Sequence, residues 1–368
     1  MIQVCGYSDC EEVCHSLGDL AHRFAGKAVL VGGGCGFLGR NMVRIFAHLN
    51  ERILDKPVRV TVVDDFIVPS ALEFQPAEDD NIRIVRHNLC VPFEPEQRCD
   101  YVINLAGIAS PHYYRAFPME TLEVTVFGTR NLLEIARRHK ARFIFFSSSE
   151  IYGNPPPDSV PTDESYRGYV SCRGPRACYD ESKRLGETLC YIYSINRLAL
   201  TCTIRPFNVF GPGMLENDYR VLPNFAEKIL NGEPIHIYGD GNQTRTFCYI
   251  TDALGGFLRV MLLGTDNEVY NIGQDKLEIS MLGLVLRLEK VLNRRIDFKL
   301  VEYPSDYPPD EPARRCPDIS KARRELGYKP QVELDDGLHR FFDWARVNYH
   351  LGAGTKRHRT KLRLSGSS

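Results

Sequence analysis

The stretch Val29-Leu-Val-Gly-Gly-Gly-Cys-Gly-Phe-Leu-Gly39 sets Gly33, Gly36 and Gly39 three residues apart, between a short β-branched run and an amphipathic stretch of helical length. A strand that turns into a helix through residues without side chains lets backbone N–H groups approach an anion. The helix N-terminus adds about half a positive charge at the same place. The arrangement predicts a pyrophosphate cradle. The next β-branched run, residues 58–63, ends at Asp64, twenty-five residues past Gly39. A carboxylate there accepts hydrogen bonds from a free ribose 2′-hydroxyl and repels a 2′-phosphate, which favours NAD over NADP. Three glycines alone also suit a tight turn that binds nothing. The order of strand, glycines, helix, strand and acid is what carries the reading.

Working outward, short apolar runs alternate with helix-length amphipathic stretches from Lys27 onward. Strands are expected over 28–31, 58–63, 82–86, 101–105 and 143–146, and helices over 37–51, 118–139 and 177–196. Strands interleaved with helices predict an α/β fold, a doubly wound parallel sheet of Rossmann type. The Pro-rich residues 154–161 read as a loop, and beyond 206 the elements shorten among turn glycines such as Gly211, Gly213 and Gly239. The expected division is an N-terminal extension over 1–26, an NAD-binding domain over 27–206 and a smaller C-terminal α/β lobe over 207–350, mainly for substrate. A basic disordered tail over 351–368 follows, carrying Lys356, Arg357, Arg359, Lys361 and Arg363.

Composition narrows the class further. With 368 residues and 43% of them apolar, the chain has material for a large core. A net charge of −1 gives no reason to expect nucleic acid as a partner. No apolar run approaches the roughly 20 residues of a membrane span, and the first residues lack a signal-peptide pattern, so no membrane association and a cytoplasmic location are expected. Twelve cysteines without a Cys-x-x-Cys pair read as reduced thiols rather than a disulfide or zinc framework, and no metal is expected.

Tyr179 and Lys183 stand four residues apart in Tyr-Asp-Glu-Ser-Lys, and so share one face of the expected helix 177–196. An ammonium near a phenol favours the phenolate, which turns the ring oxygen into a usable base. Ser148 follows the strand 143–146, at the sheet edge where open α/β folds bind ligands. Its hydroxyl is placed to hold the oxygen that Tyr179 deprotonates. Such a pair also occurs on exposed helices by chance, and its position behind a dinucleotide turn is what gives it meaning.

These residues resemble the extended short-chain dehydrogenase/reductase family, which modifies nucleotide sugars with tightly held NAD. Within it the chain is most similar to the UDP-glucuronate decarboxylases, or UDP-xylose synthases. The resemblance rests on Gly174-Pro-Arg-Ala-Cys-Tyr-Asp-Glu-Ser-Lys-Arg184, Ser148-Ser-Glu-Ile-Tyr-Gly153, Arg205-Pro-Phe-Asn-Val-Phe-Gly-Pro212, Gln243-Thr-Arg-Thr-Phe247 and Arg314-Arg-Cys-Pro-Asp-Ile319, and covers roughly residues 27 to 346. It implies that Gly33, Gly36, Phe37, Leu38, Gly39, Asp64, Asn88, Leu89, Leu105 and Ala106, with Tyr179 and Lys183, hold NAD. Asn208, Arg220, Tyr238, Arg245 and Arg315 would contact the nucleotide-sugar substrate. A homodimer is implied as well.

The same resemblance assigns the chemistry. Ser148, Tyr179 and Lys183 would oxidise the sugar C4 hydroxyl with NAD, Arg315 would hold the sugar carboxylate as carbon dioxide leaves, and Glu150 would manage protons at C5. Arg314 takes the place of Arg315 if the loop is shifted by one. A 4,6-dehydratase of this layout carries an Asp-Glu pair, and here the Asp position is Ser149, a hydroxyl without useful acidity. A 4-epimerase usually has a small neutral residue where this chain has Glu150. Those two activities remain the alternatives on the same fold, and a non-catalytic NAD-sensing protein is the alternative of another class. Departures from the pattern are Asn88 in place of an Asp near the adenine, Gly213-Met214 without the usual arginine, and a longer loop before Tyr179 with Arg167, Arg173 and Arg176.

Overall fold

Val29 and Val31 point to one face of their strand and Leu30 to the other, and this period of two repeats across the sheet. Val60, Val62, Ile103, Ile144 and Phe146 join the first face, and Val63, Val102, Phe143 and Phe145 the second. Both faces are thus apolar and must be covered by helices. The computed structural model describes residues 4–67, 79–303 and 312–350. The basic stretch from residue 351 lies outside the described residues.

Ten helices are seen among the described residues: α1 (Tyr7–Leu17), α2 (Phe37–Arg52), α3 (Pro111–Ala116), α4 (Pro118–His139), α5 (Ala177–Ile195), α6 (Val221–Leu230), α7 (Ile250–Leu263), α8 (Met281–Leu292), α9 (Ser320–Leu326) and α10 (Leu334–Asn348). The long strands are β1 (Ala28–Gly32), β2 (Arg59–Asp64), β3 (Ile82–Arg86), β4 (Tyr101–Asn104), β5 (Arg142–Phe146) and β6 (Leu200–Pro206). Shorter ones follow: β7 (Val209–Phe210), β8 (Ile235–Tyr238), β9 (Thr244–Arg245), β10 (Cys248–Tyr249), β11 (Glu268–Ile272), β12 (Ile279–Ser280), β13 (Phe298–Val301) and β14 (Arg314–Arg315). Every element expected from the sequence falls within one residue of its expected bounds.

One seven-stranded sheet runs in the order β11-β6-β5-β4-β1-β2-β3, with each neighbouring pair parallel. Its order reverses between β1 and β4, and ligands of such sheets bind beyond the carboxyl ends of the strands at that point. Helices α4 and α5 cover the second face through Leu132, Leu133, Ile135, Cys190 and Tyr193, while α2 and α7 cover the first through Met42, Phe46, Phe257 and Met261. Gly186 lets α5 lie directly on β5, since a Cβ there would meet the Phe145 ring at 2.3 Å. The doubly wound sheet expected from the alternation is therefore present. Smaller sheets, β10-β7, β12-β9-β14 and β13-β8, form the second lobe together with α6, α8 and α10. The chain returns from that lobe to supply α7 and the edge strand β11 to the large sheet.

Residues before Lys27, which the sequence leaves without an assigned structure, contain α1 and a 3₁₀ turn, Gly18–Phe24. Cys10, Val13 and Leu17 of α1 are buried in the core with Phe24. Glu12 accepts hydrogen bonds from Thr251 (2.6 Å) and Arg340 (2.7 Å), and Asn41 of α2 accepts from the Cys5 amide while donating to Pro212 O. The segment thus touches both lobes.

Gly33, on which the fold turns from β1 toward α2, has φ +72°. A Cβ there would lie 2.5 Å from the backbone of Ala106, which has no room to move because β4 is paired on both sides. Gly33→Ala is expected to lower the unfolding free energy by about 2 kcal/mol or more. Urea denaturation checks this, and an unchanged midpoint would mean that the turn is not held by β4.

Candidate active site

The carboxyl ends of β1, β4, β5 and β6 open into a cleft of about 630 Å³ whose walls come from both lobes. Gly33, Gly36, Phe37, Leu38, Gly39 and Leu105 line one end of it. Gly36 is the N-cap of α2, and no side chain caps that helix, so its first amides face the cleft. A Cβ at 36 would make only an ordinary contact, 3.5 Å from Gly33 O. At the end of β2, Asp64 accepts from the amides of Cys35 (3.0 Å) and Phe66 (3.0 Å), and burial pushes its carboxyl up. Ser147 Oγ, buried on the cleft wall, has no hydrogen-bond partner. An uncapped helix end, a cradle without side chains, an acid one strand away and an unsatisfied hydroxyl fit a dinucleotide.

Two of the expected cofactor residues, Ala106 and Leu89, are buried behind this wall, and Asn88 is exposed. Ala106 abuts Gly33, its amide donating to Asn104 Oδ1 (3.0 Å), and Leu89 is buried against the backbone of Gly32 and Gly128. Asn88 accepts from the Cys90 amide (2.8 Å).

The proton-handling group is assembled from β5 and α5. Ser148 caps the 3₁₀ turn Ser149–Tyr152, accepting from the Glu150 amide (3.2 Å), and its hydroxyl stands by the Tyr179 phenol, where it favours the ionised form. Tyr179 is buried and stacked on Tyr114, with ring centroids 5.6 Å apart. Lys183 Nζ donates to Phe146 O (2.7 Å) and lies 5.8 Å from the Tyr179 ring centroid. Burial pulls this ammonium down to about 8 and pushes the Tyr179 phenol up. The sequence reading expects Lys183 to make the phenol acidic. Here burial outweighs every opposing effect, and what opposes it is the Ser148 hydroxyl together with the positive charges of Arg220 and Arg176.

Glu150 stands beside this group, held by two guanidinium groups. Arg315 donates to it from β14 (3.0 Å) and also to Ser149 O, while Arg176, the N-cap of α5, donates to it from the other side. Arg176 further donates to Asp180 (3.3 Å). The two candidates of the Arg314-Arg315 pair separate clearly. Arg314 is tied to Glu278 (2.6 Å), and Arg315 is buried and turned toward Ser149 and Glu150.

Toward the second lobe, Asn208, Arg220, Tyr238 and Arg245 all line the cleft. Arg220 is paired with Asp218 and lies over the Phe37 ring, Arg245 donates to Thr244 O (2.8 Å), and Tyr238 stacks on Tyr303. Two features escape the sequence reading. Arg176 had a legible signal in its four-residue spacing to Asp180, just before Tyr179. The tilted packing of His112 on Tyr219, centroids 4.1 Å apart at the cleft, had none, because it joins segments far apart in the chain.

The chain is similar to several known proteins. The chain is 36% identical to UDP-glucuronic acid decarboxylase 3 of Arabidopsis thaliana over 312 residues, covering 84% of this chain and 86% of the relative. It is 35% identical to UDP-glucuronic acid decarboxylase 1 of Xenopus tropicalis over 87% of this chain and 72% of that protein. Among solved structures, it resembles the UDP-glucuronic acid 4-epimerase of Bacillus cereus in complex with UDP-glucuronic acid and NAD, with TM-score 0.72 and 26% identity over 87% of this chain and 99% of the other. It likewise resembles DesIV, a dTDP-glucose 4,6-dehydratase of Streptomyces venezuelae, with TM-score 0.74 and 26% identity over 87% and 97%. The model of the NAD dependent epimerase/dehydratase family matches residues 29–273, the whole run from the glycine turn through β11. A match of that extent makes the chain a member of this family, with NAD as its cofactor.

Proposed function

We propose that this protein decarboxylates UDP-glucuronic acid to UDP-xylose through a 4-keto intermediate. The observation that carries the reading is Glu150 clamped by Arg315 beside Ser148 and the buried Tyr179, with Ser149 where elimination of water would need an acid. The similarity to named decarboxylases supports it.

The roles follow from chemistry. NAD, when bound, supplies a hydride acceptor for C4 and returns the same hydride, so none is consumed. Gly33, Gly36, Gly39 and Asp64 hold its pyrophosphate and ribose, and Phe37, Leu38, Leu105 and Lys183 wall it in. Asn88, Leu89 and Ala106 shape the ground beneath. Tyr179, aligned by Ser148, takes the C4 hydroxyl proton. A 4-keto uronic acid is a β-keto acid, so its carboxylate leaves as carbon dioxide, and Arg315 stabilises the charge that develops. Glu150 manages the proton delivered to C5. Arg220 and Arg245 face the diphosphate, with Asn208 and Tyr238 toward the sugar and base. In this reading residues 27–206 bind NAD, 207–350 mainly bind substrate, and 1–26 brace the two.

The reading also includes a homodimer and a cytoplasmic location. Met119, Leu122 and Phe127 of α4 and Leu185, Tyr191, Ile192 and Ile195 of α5 expose a large apolar surface that a second copy would cover. All twelve cysteines are free, as suits a reducing compartment, and among the described residues no helix is long and apolar enough to cross a membrane.

Incubation with UDP-glucuronic acid is expected to release carbon dioxide and UDP-xylose without added reductant, read by mass spectrometry. Tyr179→Phe should slow turnover at least about a thousandfold. Formation of UDP-galacturonic acid, or of a 6-deoxy-4-keto sugar from UDP-glucose, with no carbon dioxide would instead favour an epimerase or a dehydratase. Light scattering should give twice the chain mass, and Phe127→Glu combined with Ile192→Glu should halve it. A wild-type monomer would contradict the dimer.

A further inference from the structure

Of the arginines in the loop before Tyr179, Arg167 and Arg173 sit among exposed or half-exposed residues, whereas Arg176 is buried and lines the cleft. It stands at the N-cap of α5, three residues before Tyr179. One nitrogen donates to Glu150 and another to Asp180 (3.3 Å), the residue that follows Tyr179. Glu150 sits on the turn that leaves β5, so this single guanidinium joins the β5 turn to the helix that carries the phenol. Arg315 reaches Glu150 from the second lobe and also donates to Ser149 O.

We propose that Arg176 is a positioning residue that couples the two proton-transfer groups of this site, holding Glu150 in register with Tyr179 and keeping a fixed cation near the phenol. The inference rests on the reading above that Tyr179 works at C4 and Glu150 at C5. Both functions come from one planar group, which explains why the side chain is buried rather than solvated. A guanidinium offers donors in a fixed fork, so it can bridge two carboxylates at set directions, which an ammonium cannot. Its position also answers a problem left by the geometry. Lys183 spends a hydrogen bond on Phe146 O, and burial acts against ionising Tyr179. The groups facing the phenol are Ser148 from the β5 turn, Asp180 and Arg176 from α5 and its cap, and Arg220 from the start of α6. Tyr114 stacks on the ring, and Lys183 lies beyond its face. Arg220 is already paired with Asp218, and a diphosphate would draw it further.

The sign of the effect is fixed. Removing a cation near the phenol makes ionisation harder, so the acid limb of the pH profile moves up. Removing the Asp180 anion moves it down. The test is single-turnover reduction of enzyme-bound NAD by UDP-glucuronic acid, followed by absorbance across pH, with released sugar nucleotides identified by mass spectrometry. For Arg176→Met the limb should rise by about one pH unit, so the rate below it falls about tenfold. A 4-keto sugar nucleotide that the wild type retains should also escape, because Glu150 is then held by Arg315 alone and no longer tied to α5. Arg176→Lys should restore the limb, since the charge returns, but not the retention of the intermediate, since the fork is lost. Asp180→Asn should lower the limb. If Arg176→Met does not fold, the Lys and Asn variants decide the matter. A limb that stays in place for Arg176→Met, one that moves as far for Arg176→Lys as for Arg176→Met, or one that does not fall for Asp180→Asn overturns the proposal. Carbon dioxide from the wild type is scored separately. Its absence counts against decarboxylation alone, because NAD reduction at C4 opens the epimerase and dehydratase routes as well.

Discussion

A phenol has to lose its proton in a place where burial tells it to keep one. That constraint organises the cleft. Tyr179 is sunk between Tyr114 and the end of the sheet, which excludes water from the reacting centre and at the same time penalises the phenolate. Three groups act against the penalty: the hydroxyl of Ser148, the guanidinium of Arg176 and the guanidinium of Arg220. Each comes from a different element. The β5 turn, the α5 cap and the α6 start must therefore be held in register for the site to work, and the glycine turn at Gly33 and the close approach at Gly186 are what keep the sheet and helices that near.

Much of this was legible in the sequence, for identifiable reasons. Strands β1 to β5 and helices α2, α4 and α5 alternate with clear periods, and their bounds fall where apolar spacing changes from two to three or four. The glycine turn announces itself because only residues without side chains fit between β1 and β4. Ser148, Tyr179 and Lys183 were legible because local spacing fixes which face of a strand end or helix they share.

What local spacing does not contain is which cation reaches the phenol. A four-residue interval places Lys183 on the face of Tyr179, but the ammonium turns to the carbonyl at the end of β5, where a buried acceptor needs a donor. The spacing of Arg176 to Asp180 shows a local pair and nothing more. The meaning of Arg176 comes from Glu150, 26 positions away in the chain. The helix before β1 was equally hidden, because α1 mixes charged with apolar residues and becomes buried only against α7 and α2, which the chain has not yet made. The return of the chain to supply β11 is of the same kind, a pairing set by register with β6 and by no local signal.

The measurement that bears most directly on the account follows a label rather than a rate. UDP-glucuronic acid carrying deuterium at C4 is turned over in ordinary water and the pentose product examined by mass spectrometry and NMR. If the buried phenol opens a C4 oxidation that closes at the same carbon, the deuterium returns to C4 and its removal slows the first step. A product with protium at C4, formed at the unlabelled rate, would contradict the account.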